Sequence, residues 1–254
     1  MAFIDLNPDL LRLVEGRRVA IVGPAPYLLD KSIGADLNKY DVVCRINDII
    51  PRADLQEHYG ERTDIMFHNC GTAFMPGLKR KIEKSPEAFK NLKMVVCAAI
   101  KAKHTDTDYL QWQDNHVSDV VANFQKLNIH QIPFYWIGIK DYKNLYSRVG
   151  AEINSGIAAI SVLLQYPIKE LFVTGFTFYL GGILEADLYY PGHWDTIEAS
   201  TKTDFGINSG HGLHANMHQI RYFKEMAKNE GDVLAVDSHI NQLLQLEHKN
   251  VVEI

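Results

Sequence analysis

Short β-branched runs alternate with longer amphipathic stretches along this chain. The first run, Arg18–Val22 (RVAIV), is apolar at nearly every position and stops at Gly23. An uninterrupted apolar run of this length is the pattern of a strand covered on both faces. DVVCRIN, RTDIMFHN, KMVVCAA, PFYWIGI, KELFVTGFTFY and GDVLAVD read the same way, so seven strands are predicted. PAPYLLDKSIGADLNKY, after the first of them, has room for a short helix. Val120, Val121 and Phe124 share one face of a helix predicted over Ser118–Leu127. Ser155–Gln165 predicts a buried apolar helix, with Asn154 or Ser155 as its cap. Ile220, Phe223 and Ala227 line one side of an amphipathic helix over Asn216–Lys228.

Strands alternating with helices predict an α/β fold, a mostly parallel sheet with helices on both faces. In such sheets ligands bind outside the carboxyl ends of the strands. Gly23, Asn47, Asn69 and Thr177 stand at or just past those ends. The stretch 180–213 has no regular pattern but holds tyrosines, a tryptophan and histidines, and is expected to be a lid over a site. With 254 residues, 46% of them hydrophobic, one sizeable core is affordable, so a single domain over 1–254 is expected.

Charge and cysteine content narrow the function. The formal charge is −5 and no basic block exists, which excludes nucleic acid as an expected partner. An anionic small substrate stays open, because local fields govern it. Cys44, Cys70 and Cys97 have no CxxC spacing, which points to a reducing compartment and away from a cysteine–zinc site. Acids interrupt the apolar N-terminal stretch, so it does not read as a secretory signal, and no run of about 18 apolar residues would span a membrane. A cytoplasmic protein is expected, or a chain trimmed of an anchor.

Four stretches carry candidate chemistry. In IVGPAPYLLD, Gly23 allows a ligand close to the backbone, or is simply a strand-to-helix turn. Pro24 and Pro26 lack amide donors and no GxGxxG follows, which disfavours a dinucleotide pyrophosphate. The amides of Asn47 and Asn69 suit a base edge or a ribose hydroxyl, though asparagine is equally a turn residue. Arg45 is expected to pair with Asp41 or Asp64. Ser155–Gly156 opens a helix whose amides favour an anion, unless it is a plain cap. Gly175, Thr177, Phe178 and Tyr179 close the strand after that helix.

His211, His214 and His218 would share one face of a continuous helix, as zinc ligands do. Asn216 and Gln219, however, have capping-box spacing. Asn216 then caps the helix, Gln219 reaches back to it, and His214 precedes the first turn. The cluster breaks and no metal site is expected. A histidine near the positive end of a helix stays neutral and can accept a proton. His218 becomes a structural first-turn residue.

Taken in order, these pieces resemble the CMP-sialic-acid-dependent sialyltransferases. VAIVGPAPYL…DVVCRIN…RTDIMFHN is similar to that family's long donor motif, and SGIAAISVLLQYPIKELFVTGFTFY to its short one. GHWD stands where the family has a His-aromatic motif, and GLHANMHQ resembles its last motif. Two positions depart from the pattern: Pro24 stands where asparagine is usual, and Gln219 where glutamate is. FTFY is similar to the strand end of the bacterial branch. The resemblance implies a Rossmann-like, GT-A-variant fold in polysaccharide biosynthesis. It implies an inverting, metal-independent transfer, with no cofactor, of sialic acid from its CMP donor to a glycan acceptor. Kdo, activated in the same way, stays open as the sugar. His214 would be the base and His193 would stabilise the leaving group. Gly23, Pro24, Ala25, Asn47, Asn69, Ser155, Gly156, Gly175, Thr177, Phe178 and Tyr179 would line the CMP site. Tyr189 and Tyr190 would meet the leaving group or the acceptor. Two other readings remain: an oxidoreductase or methyltransferase on a similar sheet, or a glycan-binding module without activity.

Overall fold

The computed structural model describes residues 4–47, 53–70, 75–84, 86–98, 122, 124–127, 131–180, 189–190 and 216–254. Eight strands form one sheet: β1 (Arg18–Val22), β2 (Val42–Ile46), β3 (Ile65–Phe67), β4 (Met94–Cys97), β5 (Phe134–Trp136), β6 (Glu170–Thr174), β7 (Leu234–Asp237) and β8 (Val251–Val252). Their order is β5-β4-β3-β2-β1-β6-β7-β8, and every pairing is parallel. The strand sequence reverses direction beside β1. It runs outward through β2 to β5 on one side, and returns on the other side with β6, β7 and β8.

The seven predicted strands are all present, and β1 has the predicted bounds. The continuous apolar runs of β1, β2 and β6 follow from their central places, where both faces are covered. β8, two residues long, carries no periodic signal and was not expected from the sequence. The large core joins β1–β4, β6 and β7 to the Ser155–Leu163, Gly138–Val149 and Asn216–Asn229 helices. Ser155–Leu163 is buried at every position, as its unbroken apolar sequence requires. Asn154 caps it, accepting from the Ile157 N–H at 2.8 Å. The other face of β1 and β2 is covered by the Pro26–Asp30 3₁₀ turn, the Gly34–Leu37 and Gln56–Tyr59 turns, and Tyr190. Of the helix expected over Ser118–Leu127, residues 122 and 124–127 are described and helical, with Phe124 stacked on Phe134. No described helix is long and apolar enough to cross a membrane.

Candidate active site

The carboxyl ends of β1, β2, β3 and β6 collect most of the predicted donor residues. Two glycines bring β1 and β6 together there. A Cβ on Gly23 would lie 2.2 Å from the Gly175 carbonyl oxygen, and one on Gly175 would lie 2.5 Å from that of Gly23. Gly175 also has φ +78°. The close approach that Gly23 permits is therefore to a second strand of the protein itself. Ala25 continues the contact, donating its N–H to the Gly175 carbonyl at 2.9 Å. The Pro24 carbonyl accepts from the Tyr190 N–H at 2.8 Å, which ties 189–190 to this turn.

A network unforeseen in the sequence sits beneath these glycines. Tyr27 donates to Asp237 at 2.5 Å and accepts from the Gly175 N–H at 2.7 Å. Thr174 donates to the same Asp237 oxygen at 2.6 Å, and the other Asp237 oxygen caps the Ser238–Leu243 helix through Ile240. Burial, and then the neighbouring carboxylate, hold the Tyr27 phenol well above its ordinary pKa. Tyr27 also stacks on His239, ring centroids 3.8 Å apart. An aspartate closing an apolar strand was the available signal.

At the next strand ends, Asn47 and Asn69 meet. Asn47, at φ +54°, accepts the Asn69 N–H on its side-chain oxygen at 3.1 Å. Its own N–H goes to the Phe67 carbonyl at 2.7 Å. Cys70, at φ +52°, donates its N–H to His68 Nδ1 at 2.9 Å. Left-handed backbone at residues other than glycine is strained by about 1–3 kcal/mol each, and it concentrates at functional sites. Arg45 does not pair with Asp41 or Asp64. Its guanidinium donates to Thr63 Oγ1 and to the carbonyls of Tyr59, Gly60 and Arg62. A planar fork satisfies several converging carbonyls at once, so Arg45 closes the 59–63 loop under β2. Asp64 is held by Arg62 and Lys93 instead.

Beside them begins the Ser155–Leu163 helix. A Cβ on Gly156 would fall 2.6 Å from the Phe176 ring, so a larger residue there would displace that ring. Ser155 Oγ is buried with no hydrogen-bond partner. Thr177, Phe178 and Tyr179 follow β6, and the last two are left-handed, φ +51° and +58°. Phe178 is core, its ring 4.8 Å from that of Phe223. Thr177 Oγ1 accepts the Tyr179 N–H at 3.3 Å. Burial raises the Tyr179 phenol. A hydrogen bond with Tyr189 opposes that rise, and the nearby charge of Glu152 adds to it. Tyr190, in contrast to its neighbour, is packed edge-on against Tyr59 at 5.0 Å and is 7% exposed.

The Asn216–Asn229 helix starts with Asn216 inside its first turn, so the expected capping box does not form. Gln219 reaches across to another segment, donating from Nε2 to the Glu152 carbonyl at 2.6 Å. His218 meets the Val149 carbonyl through Nδ1 at 3.3 Å, in keeping with a structural first-turn role. His193, His211, His214 and most of the 180–213 stretch lie outside the described residues.

The chain is similar to known proteins. Residues 7–155, more than half of the chain, match the model of glycosyltransferase family 29 (sialyltransferase). Over 96 residues the chain is 34% identical to the mouse and rat CMP-N-acetylneuraminate-beta-galactosamide-alpha-2,3-sialyltransferase 4. That segment is 37% of this chain and 26% of each relative, so the chain matches about a quarter of their length. Among solved structures, the Campylobacter jejuni sialyltransferase CstII with CMP-3FNeuAc superposes with a TM-score of 0.55 at 17% identity, over 87% of this chain and 81% of that one. The monofunctional alpha-2,3-sialyltransferase Cst-I from the same organism gives 0.55 at 17%, over 91% and 80%. A mammalian sialyltransferase gives 0.51 at 16%, over 91% and 73%. At these identities the likeness is one of fold. The family match covers the Gly23 turn, Asn47, Asn69 and the first residue of the Ser155–Leu163 helix, and by it the chain belongs to glycosyltransferase family 29, the sialyltransferases.

Proposed function

We propose that this protein moves sialic acid, or a related ulosonic acid such as Kdo, from its CMP-linked form to a hydroxyl of a glycan. The transfer inverts the anomeric centre and needs no metal or cofactor. The observation that carries this reading is the place of the family match. It spans the strained carboxyl edge where Asn47 clasps Asn69. CstII has been solved with CMP, and with a trisaccharide acceptor and CMP, which supports a donor and an acceptor of these classes.

In this reading Asn47 and Asn69 hold the cytidine and ribose. Ser155 Oγ, a buried donor at a helix N-terminus, faces an anionic group of the donor sugar or phosphate. His214 takes the proton of the acceptor hydroxyl as that oxygen bonds to the anomeric carbon. The bond from that carbon to the phosphate oxygen breaks, and CMP leaves with the electron pair. Charge builds on the departing phosphate and is met by fixed donors. Tyr179 suits this role because its raised phenol keeps its proton. Tyr189, hydrogen-bonded to it, and His193 complete the set. Residues 1–254 act as one domain in the cytoplasm, with 180–213 as lid.

Thermal shift and transfer assays test the reading together. CMP raises the melting temperature, while UDP, NAD and S-adenosylmethionine do not. Transfer from CMP-sialic acid or CMP-Kdo survives EDTA. His214→Ala keeps CMP binding but loses about 10²–10⁴-fold in turnover, the usual share of a general base. Preference for another nucleotide, or full activity in His214→Ala, overturns it.

A further inference from the structure

We infer that Gln219 is a positioning residue for transfer, and that its task requires an amide rather than a carboxylate. This rests on the function proposed above. Gln219 is 1% exposed and sits in the first turn of the Asn216–Asn229 helix. Its Nε2 donates to the Glu152 carbonyl at 2.6 Å, a contact between residues 67 apart in sequence. Its Oε1 has no hydrogen-bond partner. A buried acceptor left unsatisfied costs about 1–3 kcal/mol. Methionine, of similar length, would fill the same space without that cost. The donor is therefore the reason for an amide here.

The segment that Gln219 grips is the one that feeds the donor side. Glu152 is three residues before Ser155, and Asn154 between them caps the Ser155–Leu163 helix. The Glu152 charge also reaches the Tyr179 phenol, which bonds to Tyr189. His218, next to Gln219, meets the Val149 carbonyl of the same segment. The first turn of Asn216–Asn229 is thus docked on 149–152 by two adjacent side chains, one buried and one half-exposed. Residue 214 precedes that turn by two positions in the chain. Gln219 fixes the segment that leads through the Asn154 cap into Ser155.

A carboxylate at position 219 would turn an oxygen toward the Glu152 carbonyl, acceptor against acceptor. Only its protonated form could donate, and burial would raise its pKa. The test compares wild type, Gln219→Glu and Gln219→Met by kcat, KM for the donor, CMP affinity and melting temperature from pH 6 to 9. Gln219→Met is expected to lose about 10–100-fold in kcat at every pH, as misplaced groups do, with CMP affinity nearly unchanged. For Gln219→Glu, the ratio of its kcat to that of wild type rises as pH falls, because protonation restores the donor. Two results overturn the inference: lower melting temperatures with kcat unchanged in both variants, or a Gln219→Glu ratio flat with pH. If Gln219→Glu does not fold, Gln219→Met decides alone. A wild-type protein that transfers nothing from CMP donors sinks the proposed function, and the positioning role with it. An active wild type with unaffected variants sinks only the latter.

Discussion

The two ends of the sheet are built differently. At the amino ends, polar groups find partners close by. Arg18 donates its N–H to Asp41 at 2.8 Å, pairs with Glu170 at 3.1 Å and lies over the Tyr40 ring. The buried Asp64 accepts the Val43 N–H and is held by Arg62 and Lys93, at 2.8, 3.0 and 2.8 Å respectively. At the carboxyl ends the backbone is strained at Asn47, Cys70, Phe178 and Tyr179. Glycines there are pressed backbone to backbone, and Ser155 Oγ and Gln219 Oε1 lack partners. Packing alone favours the first arrangement. The second survives only where the surrounding structure over-determines it, which agrees with the carboxyl edge as the proposed site.

Substitutions at the two ends probe this contrast. The largest effect is expected from Gly175→Ala, because the new methyl meets the Gly23 carbonyl oxygen and the backbone is left-handed. A loss of about 3 kcal/mol or more, read as a melting temperature lower by about 10 °C, would match a backbone that must shift. A change of a degree or two would show that the two strands yield easily, and would remove the reason for glycine there. Asp64→Ala comes next, at the amino ends. It orphans the Val43 N–H and two cations, but Arg62 and Lys93 are half-exposed and return to water. A cost of about 2–3 kcal/mol by denaturant unfolding is expected, with CMP affinity unchanged. Lost CMP affinity in the folded variant would blur the division of labour.

The smallest effect is expected at Asp141, in the first turn of the helix after β5. One of its oxygens accepts the Asp5 N–H at 3.0 Å and the other has no partner. Burial raises its pKa, with the Asp5 N–H opposing. In the unfolded chain the carboxyl ionises at its ordinary value, and in the folded chain at a higher one. Stability is therefore lost as pH rises through that interval, and stays lost above it. Asp141→Asn keeps an acceptor for Asp5. A small rise in melting temperature at pH 7 is expected, vanishing below about pH 4. Equal melting curves at both pH values would show that the unpartnered oxygen costs nothing.

Much of this fold was legible because its signals are local. Four unbroken apolar residues, Val19–Val22, identify β1, and an asparagine before an apolar run identifies the cap of Ser155–Leu163. The helix at Pro8–Val14 had equally local signals, an asparagine cap, a first-turn proline and a first-turn acid, yet was not expected from the sequence. Asn47 and Asn69 were legible as strand-end residues, though their clasp was not, because it depends on which strands are neighbours. Gln219 shows the opposite hazard. A three-residue spacing to Asn216 suggests a local bond, yet the partner is Glu152. Arg45 misleads in the same way: an acid nearby in sequence suggests an ion pair, but converging carbonyls satisfy the guanidinium.

The sheet order has a consequence for the birth of the molecule. β1 pairs with β2, which follows it closely, and with β6, whose Glu170 stands opposite Arg18. At about 5–20 residues per second, a ribosome completes β6 on the order of ten seconds after β1 has been made. Throughout that interval β1 is an edge strand, with a ladder of amides and carbonyls open to any other extended chain. A central strand of the finished protein is thus an edge strand of the nascent one. The same Gly23–Gly175 contact that later brings β1 and β6 together cannot form until the second glycine has left the ribosome.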